Sequence, residues 1–160
     1  MPLTTGQTLH NNRYRIVTLI GQGGFGAVYR AWDIVLKQPV AVKENQDTSQ
    51  DAQRQFEHEA TLMAGLRHPN LPRVMDHFFV PGQGQYLVMD FIEGQNLEEL
   101  LQQHGGPFNE TEVLPWIEQT CDALTYLHSR TPPIIHRDVK PQKYYYFAGR
   151  ACAFGGFWHF

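Results

Sequence analysis

A chain of 160 residues with 42% apolar and 18% charged side chains has the composition of one folded domain, or of part of a larger one, which excludes a disordered tail. The net charge of −3 is scattered in sign, which gives no face for nucleic acid. Cys121 and Cys152 stand far apart, which excludes a disulfide framework and fits a reducing compartment.

The polar stretch Met1–Asn12 carries no apolar signal core, and no run approaches the ~18 apolar residues of a membrane span. A cytoplasmic setting is expected, with no membrane in this segment. The eight histidines are dispersed, without zinc-like spacing.

In chain order, residues 13–44 read as strand. Arg13–Leu19, Ala27–Trp32 and Pro39–Lys43 are rich in β-branched and aromatic residues, and Gly or polar turns separate them. Thr48-x-x-Asp51 has the form of a capping box, opening a helix whose apolar face is Phe56, Ala60, Met63 and Leu66, with Pro69 stopping it. Val74–Val80 and Tyr86–Met89 are two further strands, joined by the turn Pro81–Gly84. Asn96–His104 reads as a short helix ended by Gly105-Gly106. Asn109-x-x-Glu112 can cap a longer one, with Val113, Trp116, Ile117, Cys121, Leu124 and Leu127 expected to face inward. Pro115 predicts a kink in that helix or a later start, and Thr131-Pro132-Pro133 ends it. Five strands around one helix are thus followed by mostly helix, so two lobes of different class are expected, crossing near Met89–Gly94.

Between the first two strands, Gly21-Gln22-Gly23-Gly24-Phe25-Gly26 carries the spacing G-x-G-x-x-G. Glycines let backbone N–H groups approach phosphate oxygens. A dinucleotide-binding reading requires a helix after the third glycine and an acid about 20 residues on, for which Glu44 could stand. Ala27–Trp32 has no helical face, and no Walker A sequence occurs. A strand–glycine turn–strand hairpin over a nucleotide is the protein-kinase form, and an ordinary glycine-rich hairpin is the plainer alternative.

Three more segments extend the pattern. Val40-Ala41-Val42-Lys43 resembles the kinase V-A-I-K strand, in which a lysine reaches the α- and β-phosphates. A buried cation there needs a carboxylate, and Glu59 lies on the inward helix face while Glu57 points elsewhere. Leu87–Gly94 resembles the segment joining the two kinase lobes. Ile135-His136-Arg137-Asp138-Val139-Lys140-Pro141-Gln142 is similar to the H-R-D-x-K-P-x-N catalytic loop of serine/threonine kinases. Leu66–Leu71 also looks like the family's link from the helix to the fourth strand.

In these segments the chain resembles a bacterial, eukaryotic-like (Hanks-type) serine/threonine protein kinase over residues 13–142. The implied fold is the α+β protein-kinase fold. It comprises a complete small lobe, with a five-stranded antiparallel sheet and one helix, over about residues 13–90. The first helices of the large lobe follow over about 91–142. Residues 1–12 form an N-terminal tail and residues 143–160 an aromatic-rich one. The resemblance implies ATP and Mg2+ as cofactors and a protein Ser or Thr hydroxyl as acceptor. It assigns Gly21, Gly23, Gly26 and Lys43 to the phosphates, with Glu59 as the lysine's partner. Ile20, Val28 and Ala41 would cover the adenine, Met89 would be the gatekeeper, and Asp90 to Ile92 would supply backbone contacts. Asp138 would orient the acceptor hydroxyl and take its proton, while Lys140 would neutralise the moving phosphoryl group. Arg137 would receive an activation-loop phosphate, and His136 would be a packed anchor.

The pattern departs from the family at position 143, where Lys143 replaces the asparagine that holds a metal ion. No Asp-Phe-Gly metal ligand occurs, so no metal ligand is assigned. Eight of the residues 143–160 are aromatic and none is acidic. A one-base shift accounts for this. Lys143 as AAA before TAT tyrosine codons becomes AAT ATT ATT, reading Asn-Ile-Ile. Gly156–Phe160 can be written so that the same shift reads Asp-Phe-Gly-Ile. The expectation is a kinase truncated and frameshifted after its catalytic loop, inactive as written. A diverged protein with a genuine aromatic C-terminal strand is the alternative for the tail. For the whole chain the alternatives are a non-catalytic nucleotide-binding or interaction module, or a gene fragment with no folded product.

Overall fold

The computed structural model describes residues 2–23, 26–147 and 150–152. They form two compact units, Met1–Leu66 with Arg73–Phe91, and Arg67–Pro72 with Ile92–Phe160.

The first unit is built on an antiparallel sheet. Its strands are β1 (Thr8–Leu9), β2 (Tyr14–Gly23), β3 (Gly26–Asp33), β4 (Gln38–Asn45), β5 (Val74–Val80) and β6 (Gly84–Asp90), in the spatial order β1-β2-β3-β4-β6-β5. The five expected strands are present, and Thr8–Leu9 adds a sixth at the edge by pairing with Tyr14 and Arg15. Side chains alternate across the sheet. One face gathers Tyr14, Ile16, Tyr29, Val40, Val42, Phe78, Tyr86 and Val88 into a buried core that Leu3 and Leu9 close. Burying each large apolar side chain of this kind contributes about 1.5–3 kcal/mol. Residues before β2 are therefore part of the core. Leu3 N donates to Tyr29 Oη at 3.1 Å, and Gly6 N donates to Ile16 O at 2.8 Å. In β2, Val17 and Ile20 are extra residues against β3, so the strand bulges at both.

Glu44 lies on this core face and is 1% exposed. Its oxygens accept from Tyr29 Oη at 3.0 Å, Tyr86 Oη at 3.1 Å and Gln46 Nε2 at 2.8 Å. Its hydrogen bonds hold the sheet together, and no helix follows Gly26, so the dinucleotide-binding alternative fails on both counts. At the end of β3, burial pushes the Asp33 carboxyl up. The Arg13 fork and the amides of Leu36 and Val35 outweigh that effect and hold it below the usual carboxylate range.

Helix α1 (Gln50–Ala64) packs against β5 and β6 and buries Phe56, Glu59, Ala60 and Met63. Its cap is Ser49, one residue later than the expected Thr48: Ser49 Oγ accepts from Ala52 N at 3.3 Å. The Thr48 carbonyl instead takes Gln53 Nε2, and Asp47 Oδ1 accepts from Ser49 N. The helix stops at Gly65, before Pro69 is reached.

The second unit contains β7 (Gln95–Asn96), α2 (Leu97–His104), α3 (Glu110–His128) and a 3-10 turn, Pro141–Lys143. Two short strands follow, β8 (Tyr145–Phe147) and β9 (Arg150–Cys152). Asn96 and Glu99 form a reciprocal capping box on α2, and Gly105 ends it at φ 73°. Helix α3 starts at Glu110 with Pro115 inside it, so the later start is not what the chain adopts.

The inward face of α3 is in part the expected one. Leu127 is buried and Val113, Trp116 and Leu124 are half-buried, as expected, and Ala123 joins them, whereas Ile117 is 51% exposed and Cys121 is exposed. Polar residues of α3 hold segment 67–72. Arg67 N donates to Tyr126 Oη at 2.8 Å, and His68 Nε2 lies 3.1 Å from Asp122 Oδ2. Asn70 Nδ2 donates to Gln119 Oε1 at 3.0 Å.

Tyr145–Phe147 pairs with Gln95–Asn96 and with Arg150–Cys152, giving the start of the aromatic stretch a regular partner. The shifted reading of Gly156–Phe160 lies outside the described residues, as do Gly24 and Phe25.

Candidate active site

In the first unit the expected nucleotide-binding residues lie on the sheet face opposite the apolar core. Register sets Gly21, Val28, Lys43 and Leu87 side by side on four adjacent strands, and Arg30, Ala41 and Met89 in the next row. Ala41 and Lys43 share this face because they are two residues apart on β4. Ala41 is 7% and Met89 8% exposed, while Ile20, in its bulge, is 45% exposed. Gly26 opens β3 opposite Gly23 with φ 131°. A Cβ there would lie 1.9 Å from the Glu44 carbonyl oxygen, so close approach to β4 alone requires glycine.

Lys43 Nζ stands 2.6 Å from Glu59 Oε1, with side-chain exposures of 7% and 9%. The Phe56 ring lies 5.5 Å from the same ammonium. The expected pairing is therefore present: Glu57 is exposed, and Glu44 is on the opposite face. The rigid strand and the buried helix face leave Lys43 little freedom, so its charge is held in place.

Asp90 shows a feature that sequence reasoning missed. Arg73 Nε and Nη2 reach its two oxygens at 2.9 and 3.1 Å, and Asp90 N donates to Arg73 O at 3.0 Å. The side chain thus fastens the end of β6 to the start of β5. The signal was an Arg at the opening of one strand and an Asp at the close of its partner.

In the second unit the expected catalytic residues lie on the loop 134–143. His136 is 1% exposed, and both its carbonyl and its Nδ1 accept from Asp138 N, at 2.9 and 3.3 Å. It is a packed anchor, as expected. Arg137 is exposed and sits at φ 60°, turning the chain so that Asp138 follows on the other side.

The oxygens of Asp138 face two ammonium groups, Lys140 Nζ at 3.1 Å and Lys143 Nζ at 3.5 Å. The Lys140 hydrogen bond, with Lys143 adding to it, outweighs the opposing effect of burial and holds the Asp138 carboxyl below the usual carboxylate range. A magnesium ion does not fit this arrangement. Lys143 supplies donors only, and no cluster of three or more His, Cys, Asp or Glu able to hold a metal occurs among the described residues.

A fixed buried Lys–Glu pair beside spaced glycines in the first unit, and a His-Arg-Asp loop held by its histidine in the second, are the features by which the sequence resembles the protein kinases. A profile of the protein kinase domain matches residues 14–143. The probable serine/threonine-protein kinase YbdM of Bacillus subtilis is 36% identical over 154 residues, which cover 94% of this chain and 59% of that protein. Serine/threonine-protein kinase B of Synechocystis is 35% identical over 140 residues, covering 82% of this chain and 24% of that protein. Mouse serine/threonine-protein kinase tousled-like 2 is 34% identical over 149 residues, covering 89% and 21%. This chain therefore belongs to the protein kinase family, among its Hanks-type serine/threonine members. It spans 59% of the length of the first of these relatives and less than a quarter of the other two.

Proposed function

We propose that this chain binds ATP through its first unit, and that the reaction of its lineage is transfer of the γ-phosphoryl group to a protein Ser or Thr hydroxyl. The observation that carries the proposal is the buried Lys43–Glu59 pair at 2.6 Å. A cation fixed on a strand beside glycines that admit a phosphate is suited to the α- and β-phosphates.

Gly21, Gly23 and Gly26 give the backbone approach, while Ile20, Val28 and Ala41 offer apolar contact to adenine. Met89 sits behind them as gatekeeper. The Asp90 amide is engaged by Arg73, so an adenine contact from Asp90 falls to its carbonyl, with Ile92 supplying the next backbone groups. In the lineage's reaction Asp138 would orient the hydroxyl and Lys140 would offset phosphoryl charge. As written, this chain has Lys143 against Asp138 and transfers no phosphate.

The domain reading remains a nucleotide-binding lobe over about residues 13–90, a catalytic-loop segment over about 91–142 and an out-of-frame tail over 143–160. No helix among the described residues is long and apolar enough to cross a membrane, and a cytoplasmic setting belongs to the proposal.

The test is titration of a fluorescent ATP analogue into the chain. Losing the charged hydrogen bonds of Lys43 is worth about 1.5–3 kcal/mol, or roughly 10- to 100-fold in affinity. Lys43→Met combined with Glu59→Leu, which leaves no orphan charge, is expected to weaken binding by that factor. Unchanged affinity in the double variant would remove the proposed phosphate site.

A second reading, a non-catalytic nucleotide-binding module, is favoured by the engagement of both Asp138 oxygens by lysines. Retained nucleotide binding without phosphate transfer distinguishes it from an active kinase.

A further inference from the structure

The two ammonium groups at Asp138 are not equivalent. The Lys140 side chain is 48% exposed and can turn away into water. The Lys143 side chain is 10% exposed. It sits at the end of the 3-10 turn Pro141–Lys143, where its amide donates to Lys140 O at 2.9 Å. The next residue, Tyr144, is buried, and its carbonyl accepts from Leu97 N at 2.8 Å, which ties this end of the loop to α2. The Lys143 backbone is thus fixed on both sides, and its ammonium is carried to Asp138 by the fold.

A divalent ion arriving at Asp138 would meet a like charge a few ångströms away. It would also have one carboxylate where magnesium takes near-octahedral oxygen ligands at about 2.0–2.1 Å. We infer that Lys143, at the sequence position of the family's metal-holding asparagine, is a built-in counter-cation of Asp138, and that nucleotide binding by this chain does not depend on magnesium. The second half of this inference rests on the nucleotide-binding reading above; the first concerns the loop alone.

Two measurements on the full 160-residue chain separate these halves. In the first, manganese alone is titrated into isotope-labelled protein, and paramagnetic broadening of the backbone signals of residues 136–144 is followed. The unmodified chain is expected to show no local broadening there. Lys143→Asp, which sets a second carboxylate beside Asp138, is expected to gain it. Should that variant unfold, Lys143→Gln, close to lysine in length and bearing an amide oxygen, is read in the same way. Local broadening in the unmodified chain overturns the inference. So does its absence in a folded variant, because Lys143 would then not be what excludes the ion.

In the second, a fluorescent ATP analogue is titrated with magnesium and again with a chelator present. Affinities within about twofold of each other are expected, and a tenfold gain with magnesium overturns the second half. No binding in either condition refutes the nucleotide reading and the magnesium clause with it, while the manganese result still decides the loop.

Discussion

Removing Glu59 perturbs the first unit at Lys43, a buried cation that its carboxylate holds. The two groups are 2.6 Å apart, with 7% and 9% of their side chains exposed, so water does little to solvate either. Deleting one partner of a buried pair costs about 3–5 kcal/mol, against about 0–1 for a surface pair. The Phe56 ring, 5.5 Å from the ammonium, is already in place in the intact pair and does not offset that loss. A domain's whole stability is about 5–15 kcal/mol, so Glu59→Ala is expected to lose a large fraction of it. Replacing both partners, Lys43→Met with Glu59→Leu, leaves no uncompensated charge. That variant is expected within about 1 kcal/mol of the unmodified chain, or above it. Urea unfolding followed by far-ultraviolet circular dichroism gives the four stabilities of the cycle, and their difference gives the coupling. A loss below about 1 kcal/mol for Glu59→Ala, or a double variant as unstable as the single one, would refute the buried pair.

Gly26→Ala would set a Cβ 1.9 Å from the Glu44 carbonyl at φ 131°, and a loss of about 1–3 kcal/mol is expected, read as a lowered Tm. Gly106→Ala, which meets open space, is the control and is expected to change little. Asp33 has a lowered carboxyl pKa in the folded chain, so the unfolded chain takes up the proton first as pH falls. Its contribution is therefore complete above the unfolded value of about 3.9 and is lost as pH falls through the folded value. Asp33→Asn should flatten that part of the acid unfolding curve, and an unchanged curve would show that the Arg13–Asp33 fork contributes nothing. For the gene, an A- or T-rich run at codon 143 is expected, with the shifted frame continuing through Asp-Phe-Gly into an activation segment. Immediate stops or unrelated sequence in that frame on reading the DNA would end the frameshift proposal.

The five main strands, α1 and α2 were legible because period and punctuation agree there. Glu59 could be chosen over Glu57 because only one of them falls on the stripe of Phe56, Ala60 and Met63. Legibility failed where two residues could do one job. Thr48 and Ser49 can both cap a helix, and the Asp47 turn decided for Ser49. On α3, apolar spacing favoured Ile117 and Cys121. Ile117 and Cys121 are exposed instead, while Gln119, Asp122 and Tyr126 hold a distant segment by polar contacts, and such partners leave no periodic trace. The short strand Thr8–Leu9 was hidden for a similar reason: two residues have no period, and only the contacts of Leu3 and Leu9 with the sheet core reveal the role of that segment. At the site, Gly26 was legible as a necessary glycine, but for phosphate approach; the close carbonyl of Glu44 is a second reason that only the register discloses.

Phosphate transfer tests the central claim most directly. Phosphoryl transfer leaves a protein little to do beyond placing charge and reactants, so a loop with an ammonium at its metal position lacks a large share of the machinery. The unmodified 160-residue chain, incubated with radiolabelled ATP and magnesium, is expected to label neither a generic basic protein nor itself above the level of a Lys43→Met control. Lys143→Asn alone is expected to leave that result unchanged, whereas restoring the shifted frame is expected to produce labelling. Transfer by the unmodified chain above the Lys43→Met control would contradict the account.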